Sequence, residues 1–152
     1  MLQRLLATEN DGATTLLRLA LGVVFFAHGA QKMLGWFGGY GFSGTMGLFT
    51  GMLHIPAPLA FLAIAAEFFG SIGLLIGFLT RIAGFGILTN MLVAIATLHY
   101  RFGFFMNWTG RQKGEGFEFH LLVIAIALYL IIRGAGALSV DRLLSSQTNS
   151  RV

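Results

Sequence analysis

Four long apolar runs constrain this chain more than any other feature of its sequence. A helix needs about 20 apolar residues to cross a bilayer, at about 1.5 Å of rise per residue. Charged residues make up only 11% of the chain, whereas a soluble domain has about 25%. The sequence therefore predicts an all-α integral membrane protein, a four-helix bundle that forms one domain over residues 1–152. Its four helices are expected at about residues 16–37, 57–79, 82–100 and 117–138.

The composition also excludes several kinds of function. The chain has no cysteine, which excludes thiol redox chemistry and cysteine-ligated metals. Lys and Arg residues are spread singly along the chain, so no basic patch can follow a nucleic acid backbone. The partner that the composition predicts is the lipid bilayer, and the oligomeric state stays open.

An even number of crossings would place both termini on the same side of the membrane. Cytoplasmic segments usually carry the excess of Lys and Arg, and six cations against four favour cytoplasmic termini. The six are Arg4, Arg18, Arg81, Arg133, Arg142 and Arg151, and the four are Lys32, Arg101, Arg111 and Lys113. Three of the six (Arg18, Arg81 and Arg133) sit near helix ends and are expected to reach the headgroups.

The two long connections, residues 38–56 and 101–116, would then face outward. A spacing of three and four residues, which is typical of a short helix in the membrane interface, relates Phe42, Met46, Phe49 and Leu53. Trp108 is expected to anchor the second connection at headgroup level.

The polar residues of the helices converge in one half of the membrane. Glu67 lies about 15 Å along the second helix, where a carboxylate is costly unless it is paired, protonated or in contact with water. The antiparallel order of the helices places five other polar residues in the same half: His28, Lys32, His99, Glu118 and His120. This one-sided placement predicts a polar pocket that opens toward the outer face.

Structural alternatives to a functional pocket stay open. Glu67 could form an ion pair with Lys32 or Arg18 that only holds the helices in register. The histidines could cap backbone groups. A metal site at His99, His120 and Glu118 is a further alternative, since these ligand types suit zinc, copper or iron. Glu118 and His120 lie about 200° apart around a helix, so such a site would need ligands from different helices.

A pocket of this chemistry fits a lipid-soluble quinone. Ring carbonyls need hydrogen-bond donors and reduction needs a proton carrier, so Glu67 is predicted to carry protons while His28 and Lys32 hold the quinone oxygens. Asn90 and Phe68 are expected to complete the quinone site, among the aromatic side chains of Phe25, Phe26, Phe68 and Phe69. The outer mouth, where a substrate or partner would arrive, is predicted to comprise His99, Asn107, Glu115, Glu118 and His120.

Four segments closely resemble the DoxX family of small bacterial membrane proteins. They are "LLRLALGVVFFAHGAQKMLGWFGGYG", "AAEFFGSIGLLIGFLTRIA", "NMLVAIATLH" and "FFMNWTGRQKGEGFEFHLL". The resemblance implies a four-helix membrane bundle in the bacterial inner membrane. It also implies kinship with membrane subunits of thiosulfate:quinone oxidoreductases and with proteins that accompany soluble redox enzymes. The polar residues that carry over are His28, Lys32, Glu67, Arg81, Asn90, His99, Asn107, Glu115, Glu118 and His120.

The function expected from residues and resemblance together is that of a quinone-linked subunit of a membrane oxidoreductase system. Because the chain has no cysteine to accept sulfur, work on sulfur compounds would need a second subunit. Two alternatives remain. One is a non-enzymatic scaffold that docks redox proteins through its outer loop, and the other is a small-molecule transporter with Glu67 at its midplane.

Overall fold

A computed structural model describes residues 2–149, and this part of the chain is helical with no β-strand. The all-α prediction is therefore confirmed. The α-helices are α1 (Leu2–Leu6), α2 (Gly12–Leu34), α3 (Gly41–Gly47), α4 (Ala57–Ile76), α5 (Thr80–Ala94), α6 (Glu118–Arg133) and α7 (Val140–Asn149). Of the cations used to predict orientation, Arg151 lies outside the described residues.

Three helical stretches are long and apolar enough to cross a membrane: Gly12–Leu34, Ala57–Ile76 and Thr80–Phe102. The third consists of α5 followed by a π-helical turn at Ile95–His99 and a 3-10 turn at Tyr100–Phe102. The fourth predicted run forms the shorter α6, which has 16 residues. It stops at Arg133 because Gly134 leaves helical geometry with φ 87°, so the predicted extension to residue 138 is wrong.

Two other predicted boundaries are corrected by residues that cap helices. The first helix begins at Gly12, not at residue 16, because the Asp11 side chain accepts hydrogen bonds from the backbone N–H groups of Ala13 and Thr14. A hydrogen bond from the Thr14 side chain contributes most to lowering the pKa of the Asp11 carboxyl, and the two backbone bonds lower it further. The second helix ends at Ile76, because Gly77 adopts the left-handed conformation with φ 71°.

The long helices pack in chain order around one core. Helix α2 contacts α4, α4 contacts α5, and α5 contacts α6, while α6 also touches α2. The core that they enclose is apolar and includes Leu21, Phe25, Leu74, Ile87, Val123 and Leu130. Helix α2 approaches α4 most closely at Gly29, where an added Cβ would lie 2.6 Å from the Phe68 Cα. Only glycine permits this approach of α2 to α4. The approach sets the distance between the polar residues of the two helices on either side of Gly29.

Arg18 does not extend to the headgroups as predicted but is buried, with 1% of its surface exposed. Its Nε donates to the Ala135 carbonyl at 2.8 Å. Its Nη1 donates to the carbonyls of Leu74 and Leu75, the latter at 3.0 Å, and its Nη2 donates to the Leu138 carbonyl at 3.2 Å. The last carbonyls of a helix have no partner within it, and Arg18 supplies one to the end of α4 and to the turn after α6.

Two further charged residues complete this end of the molecule, which we call the termini end. Arg81 donates to the carbonyls of Ile131 and Ile132 at the end of α6, and to the Ala7 carbonyl at 3.0 Å. Asp141, at the start of α7, accepts from the N–H groups of Leu79 and Thr80 at 2.7 and 3.0 Å. Charged side chains therefore satisfy backbone groups at the ends of α4, α5 and α6.

Replacing Arg18 with Met is expected to destabilise the fold by about 3 kcal/mol or more, because buried carbonyls lose charged donors. Met keeps an unbranched apolar side chain, so packing changes little. The measurement is thermal unfolding in mild detergent, with the exposed Arg111→Met as the control. Equal melting temperatures for the two variants would contradict this capping role.

Candidate functional site

A cavity of about 1100 Å³ lies along α4 and α5 and is bordered by α2 and the start of α6. Its walls are mostly apolar. The polar side chains in its lining are His28, Lys32, Glu67, Thr89, Asn90, Thr97, His99, Glu115 and His120. Three of the four helices that carry these side chains are the candidate membrane spans. Most of the polar residues predicted for the site thus line one cavity, but some do not.

Glu67, at the middle of α4, is 6% exposed and has a partner on each carboxylate oxygen. Its Oε2 accepts from Lys32 Nζ at 2.5 Å. Its Oε1 faces Asn90 Nδ2 at 3.4 Å, while the same nitrogen donates to the Ala63 carbonyl at 2.8 Å. Of the two ion-pair partners that the sequence left open, Lys32 is the one present, since Arg18 is held by backbone carbonyls.

Gly29 explains how this pair forms. A Cβ at Gly29 would lie 2.8 Å from the carbonyl oxygen of Glu67, so α2 and α4 meet backbone to backbone at this level. His28 precedes Gly29 and Lys32 follows one turn later, so both reach the cavity from the part of α2 that adjoins Glu67. The His28 ring lies 6.2 Å from that of Phe25, which also lines the cavity.

Two histidines meet at the opposite end of the molecule from the termini, which we call the loop end. The rings of His99 and His120 are 4.1 Å apart between centroids. His99 is the last residue of the π-helical turn, and its Nδ1 is 2.8 Å from the Glu115 carbonyl, to which it donates. His120, in the first turn of α6, is only 6% exposed. His120 is therefore an inner residue of the cavity, not part of an open mouth.

Metal binding gains no support from the arrangement. Within residues 2–149, no group of three or more His, Cys, Asp or Glu side chains could hold a metal ion. Glu118, the third candidate ligand, points into the neighbouring loop, where its Oε1 accepts from the Met106 N–H at 2.8 Å and from Trp108 Nε1 at 3.1 Å. The two histidines thus lack Glu118 as a third ligand.

Three residues predicted for the outer mouth organise the loop at residues 103–117. Glu115 Oε2 accepts from the Asn107 N–H at 2.7 Å, and Glu118 binds the two groups just described. The Asn107 side chain bonds to the backbone of Gln112. Asn107 and Glu118 do not line the cavity, whereas Glu115 does. In this glycine-rich loop, the two carboxylates satisfy the backbone N–H groups of Met106 and Asn107 and the indole N–H of Trp108.

The aromatic lining differs from the prediction. Phe69 lines the cavity, but Phe68 does not. Phe68 stacks instead on Phe26, with the centroids 6.2 Å apart. Consecutive helical residues point about 100° apart, and here Phe69 turns to the cavity while Phe68 turns to α2. Phe68 is therefore corrected from a cofactor contact to a residue of the α2–α4 interface.

The segment after α3 supplies wall residues that sequence reasoning assigned only to the membrane interface. Phe49 and Leu53 both line the cavity, and Phe49 belongs to a π-helical turn that continues α3. The apolar periodicity predicted the helix, which is confirmed. The same periodicity signalled that one face of the segment needs an apolar partner, but not which partner.

Comparisons with known proteins agree with this picture. The DoxX family model matches residues 13–100. The protein CatD of Bacillus subtilis (strain 168), which is provisionally named an oxidoreductase, is 30% identical over 128 residues, covering 84% of each chain. The inner membrane protein YqjF of Escherichia coli (strain K12) is 30% identical over 138 residues, covering 91% of this chain and 96% of its own. No solved structure matches. With three apolar helices of spanning length, the chain is a multi-pass protein of the inner membrane and belongs to the DoxX family.

Proposed function

We propose that this protein is the quinone-linked subunit of a membrane oxidoreductase system. The observation that carries the proposal is the position of the paired Glu67, midway along a cavity whose walls are otherwise mostly apolar. An ionisable residue at membrane depth marks a functional site by default. The similarity to CatD, provisionally named an oxidoreductase, points to the same class of function.

The shape of the cavity favours a ligand that arrives from the bilayer. Large apolar side chains on its rim are exposed along both helices, with Phe69 on α4 at 59% and Phe85 on α5 at 63%. In a membrane these side chains face lipid, so the cavity opens sideways into the apolar phase. A lipid-soluble molecule can therefore enter without crossing water, while a hydrophilic substrate cannot.

The polar groups fit a quinone head. A quinone accepts hydrogen bonds at two carbonyl oxygens, and the cavity supplies donors from His28, Lys32 and Asn90. When bound, a quinone supplies a reversible reduction that takes up two electrons and two protons. Glu67 would relay protons to a bound quinone one at a time, and the Lys32 ammonium at 2.5 Å would stabilise the carboxylate left after each delivery. Electrons would come from a partner redox protein, since a chain without cysteine has no thiol–disulfide couple to supply them.

We further propose that α6 is a fourth crossing and that both termini are cytoplasmic. Sixteen residues span about 24 Å, somewhat less than the hydrocarbon core of about 30 Å. A short span is accommodated by local thinning of the bilayer. Helix α6 also packs directly against α5, a candidate span. The polar cavity would then open toward the outer face.

Single cysteines test this topology, since the natural chain has none. Thr109→Cys in the loop and Ser146→Cys in α7 both change exposed residues. A membrane-impermeant maleimide applied to intact spheroplasts is expected to label Thr109→Cys alone, and Ser146→Cys only after permeabilisation. Labelling of both in intact spheroplasts would show that the loop and α7 lie on the same side, so that α6 does not cross the membrane.

Replacing Glu67 with Gln is expected to lower quinone reduction by about 10²-fold or more, the usual contribution of a positioned proton donor. The assay uses membranes of the native host, in which the physiological electron donor is present. Glu9→Gln is the matched control, because Glu9 pairs with Arg133 at the surface. Both variants should insert normally. Undiminished quinone reduction in Glu67→Gln would exclude the proton-carrier role.

The length of the ligand is testable at Gly70, where the cavity continues from Glu67 toward the termini end. A Cβ at Gly70 would meet only Ala83, at 3.7 Å, which is ordinary contact. Gly70→Leu should therefore fold, fill this part of the cavity, and weaken binding of a quinone with an isoprenoid chain by about tenfold, since each excluded CH₂ is worth about 0.8 kcal/mol. Binding of the same ring without its chain should not change. The control is Gly47→Leu, which lies outside the cavity.

A scaffold that docks redox proteins is the second candidate, favoured by the charge of the loop at residues 103–117. The carboxylates of Glu115, in this loop, and Glu118, just after it, accept from N–H groups. Arg111 and Lys113 are exposed, and Trp108 is 85% exposed. The loop thus presents cations and an aromatic ring to a partner. This candidate predicts that Arg111→Ala with Lys113→Ala abolishes function in the same assay while Glu67→Gln retains it.

A further inference from the structure

One buried polar atom in the cavity region has no hydrogen-bond partner in the described part of the protein. His120 is 6% exposed and lines the cavity, yet its Nδ1 is buried without a hydrogen-bond partner among residues 2–149. Buried polar side-chain atoms are paired in the large majority of cases, so each exception calls for an explanation.

The orphaned Nδ1 determines which ring nitrogen carries the proton. A neutral imidazole has one N–H donor and one lone-pair acceptor. Buried N–H groups without an acceptor are rarer than acceptors without a donor. The favourable tautomer therefore leaves the lone pair on the buried Nδ1 and places the proton on Nε2. A cationic imidazole would have to donate from Nδ1 as well, and that nitrogen has no acceptor among residues 2–149.

The neighbours of His120 hold its ring in place. The His99 ring packs against it at 4.1 Å, and the Phe119 ring lies 5.8 Å away at 82°. His99 is itself held by its Nδ1 donation to the Glu115 carbonyl at 2.8 Å. A donor that is oriented before the ligand arrives loses little freedom on binding.

We infer that His120 is a ligand-binding residue, donating a hydrogen bond from Nε2 to an acceptor oxygen on the head of the ligand. The inference rests on the proposed function for the identity of that ligand and deepens it by one contact. It specifies a carbonyl-bearing head group rather than one that offers only donors. It also separates His120 from His99 and Glu115, which hold the loop.

The test replaces His120 with Gln, Asn or Phe and measures binding of a decyl-substituted quinone to the purified protein in mild detergent. The amide nitrogen of Gln comes close to the position of Nε2, while that of Asn comes close to Nδ1. Gln should keep the affinity within about threefold, whereas Phe and Asn should lower it by about tenfold, the equivalent of one lost hydrogen bond. His54→Asn, at an exposed histidine that does not line the cavity, serves as the control for the loss of an imidazole ring and should keep the affinity.

Melting temperatures without ligand separate this role from a structural one. If His120 only donates to the ligand, Phe should leave the melting temperature unchanged or raise it, because an unpaired buried polar atom is removed. Wild-type affinity in His120→Phe, with weakened binding in His28→Phe, would overturn the inference and leave the proposed function standing. A wild-type protein that binds no quinone would overturn both.

Discussion

A carboxylate at the middle of an apolar helix is the constraint around which the rest of this structure is arranged. An isolated charge there is so unfavourable that it must be paired or neutralised, and Glu67 is paired through both oxygens, with Lys32 and Asn90. Those partners come from two other helices, α2 and α5. Three helices are therefore held at one register by a single side chain, and the cavity lies beside it.

The same requirement explains the termini end of the molecule. In a medium without water, backbone groups at helix ends have no solvent to bind. Arg18, Arg81 and Asp141 take that role. Buried guanidinium groups are tolerated because each donates to several carbonyls at once, and none needs a carboxylate at hydrogen-bond distance. Arg18, Arg81 and Asp141 thus satisfy backbone groups, whereas Lys32 and Glu67 in the cavity pair with each other.

Sequence reasoning predicted the helices well, but it predicted poorly which side chain of a helical turn makes a given contact. Apolar runs and depth along the helix brought His28, Lys32, Glu67 and Asn90 together, because those quantities depend only on the rise per residue. Whether Phe68 or Phe69 faces the cavity depends on the rotation of α4 about its axis, which two adjacent phenylalanines do not reveal. Arg18 was missed because a cation near a helix end suits headgroups equally well, and its carbonyl partners come from residues 74–75 and 135–138.

The pattern of those long-range bonds has a consequence for how the protein is made. Residues 8–18 bond with residues 135–138: Thr8 accepts from the Gly136 N–H, Thr15 donates to the Ala137 carbonyl, and Arg18 reaches two carbonyls there. The ribosome delivers the amino-terminal end first, so the first membrane helix emerges with a guanidinium whose acceptors do not yet exist. Before residues 135–138 are made, the chain cannot supply all the carbonyls that pair with this charge. We therefore expect this guanidinium to stay in contact with water or headgroups at first, and the termini end to close only after residues 135–138 are synthesised.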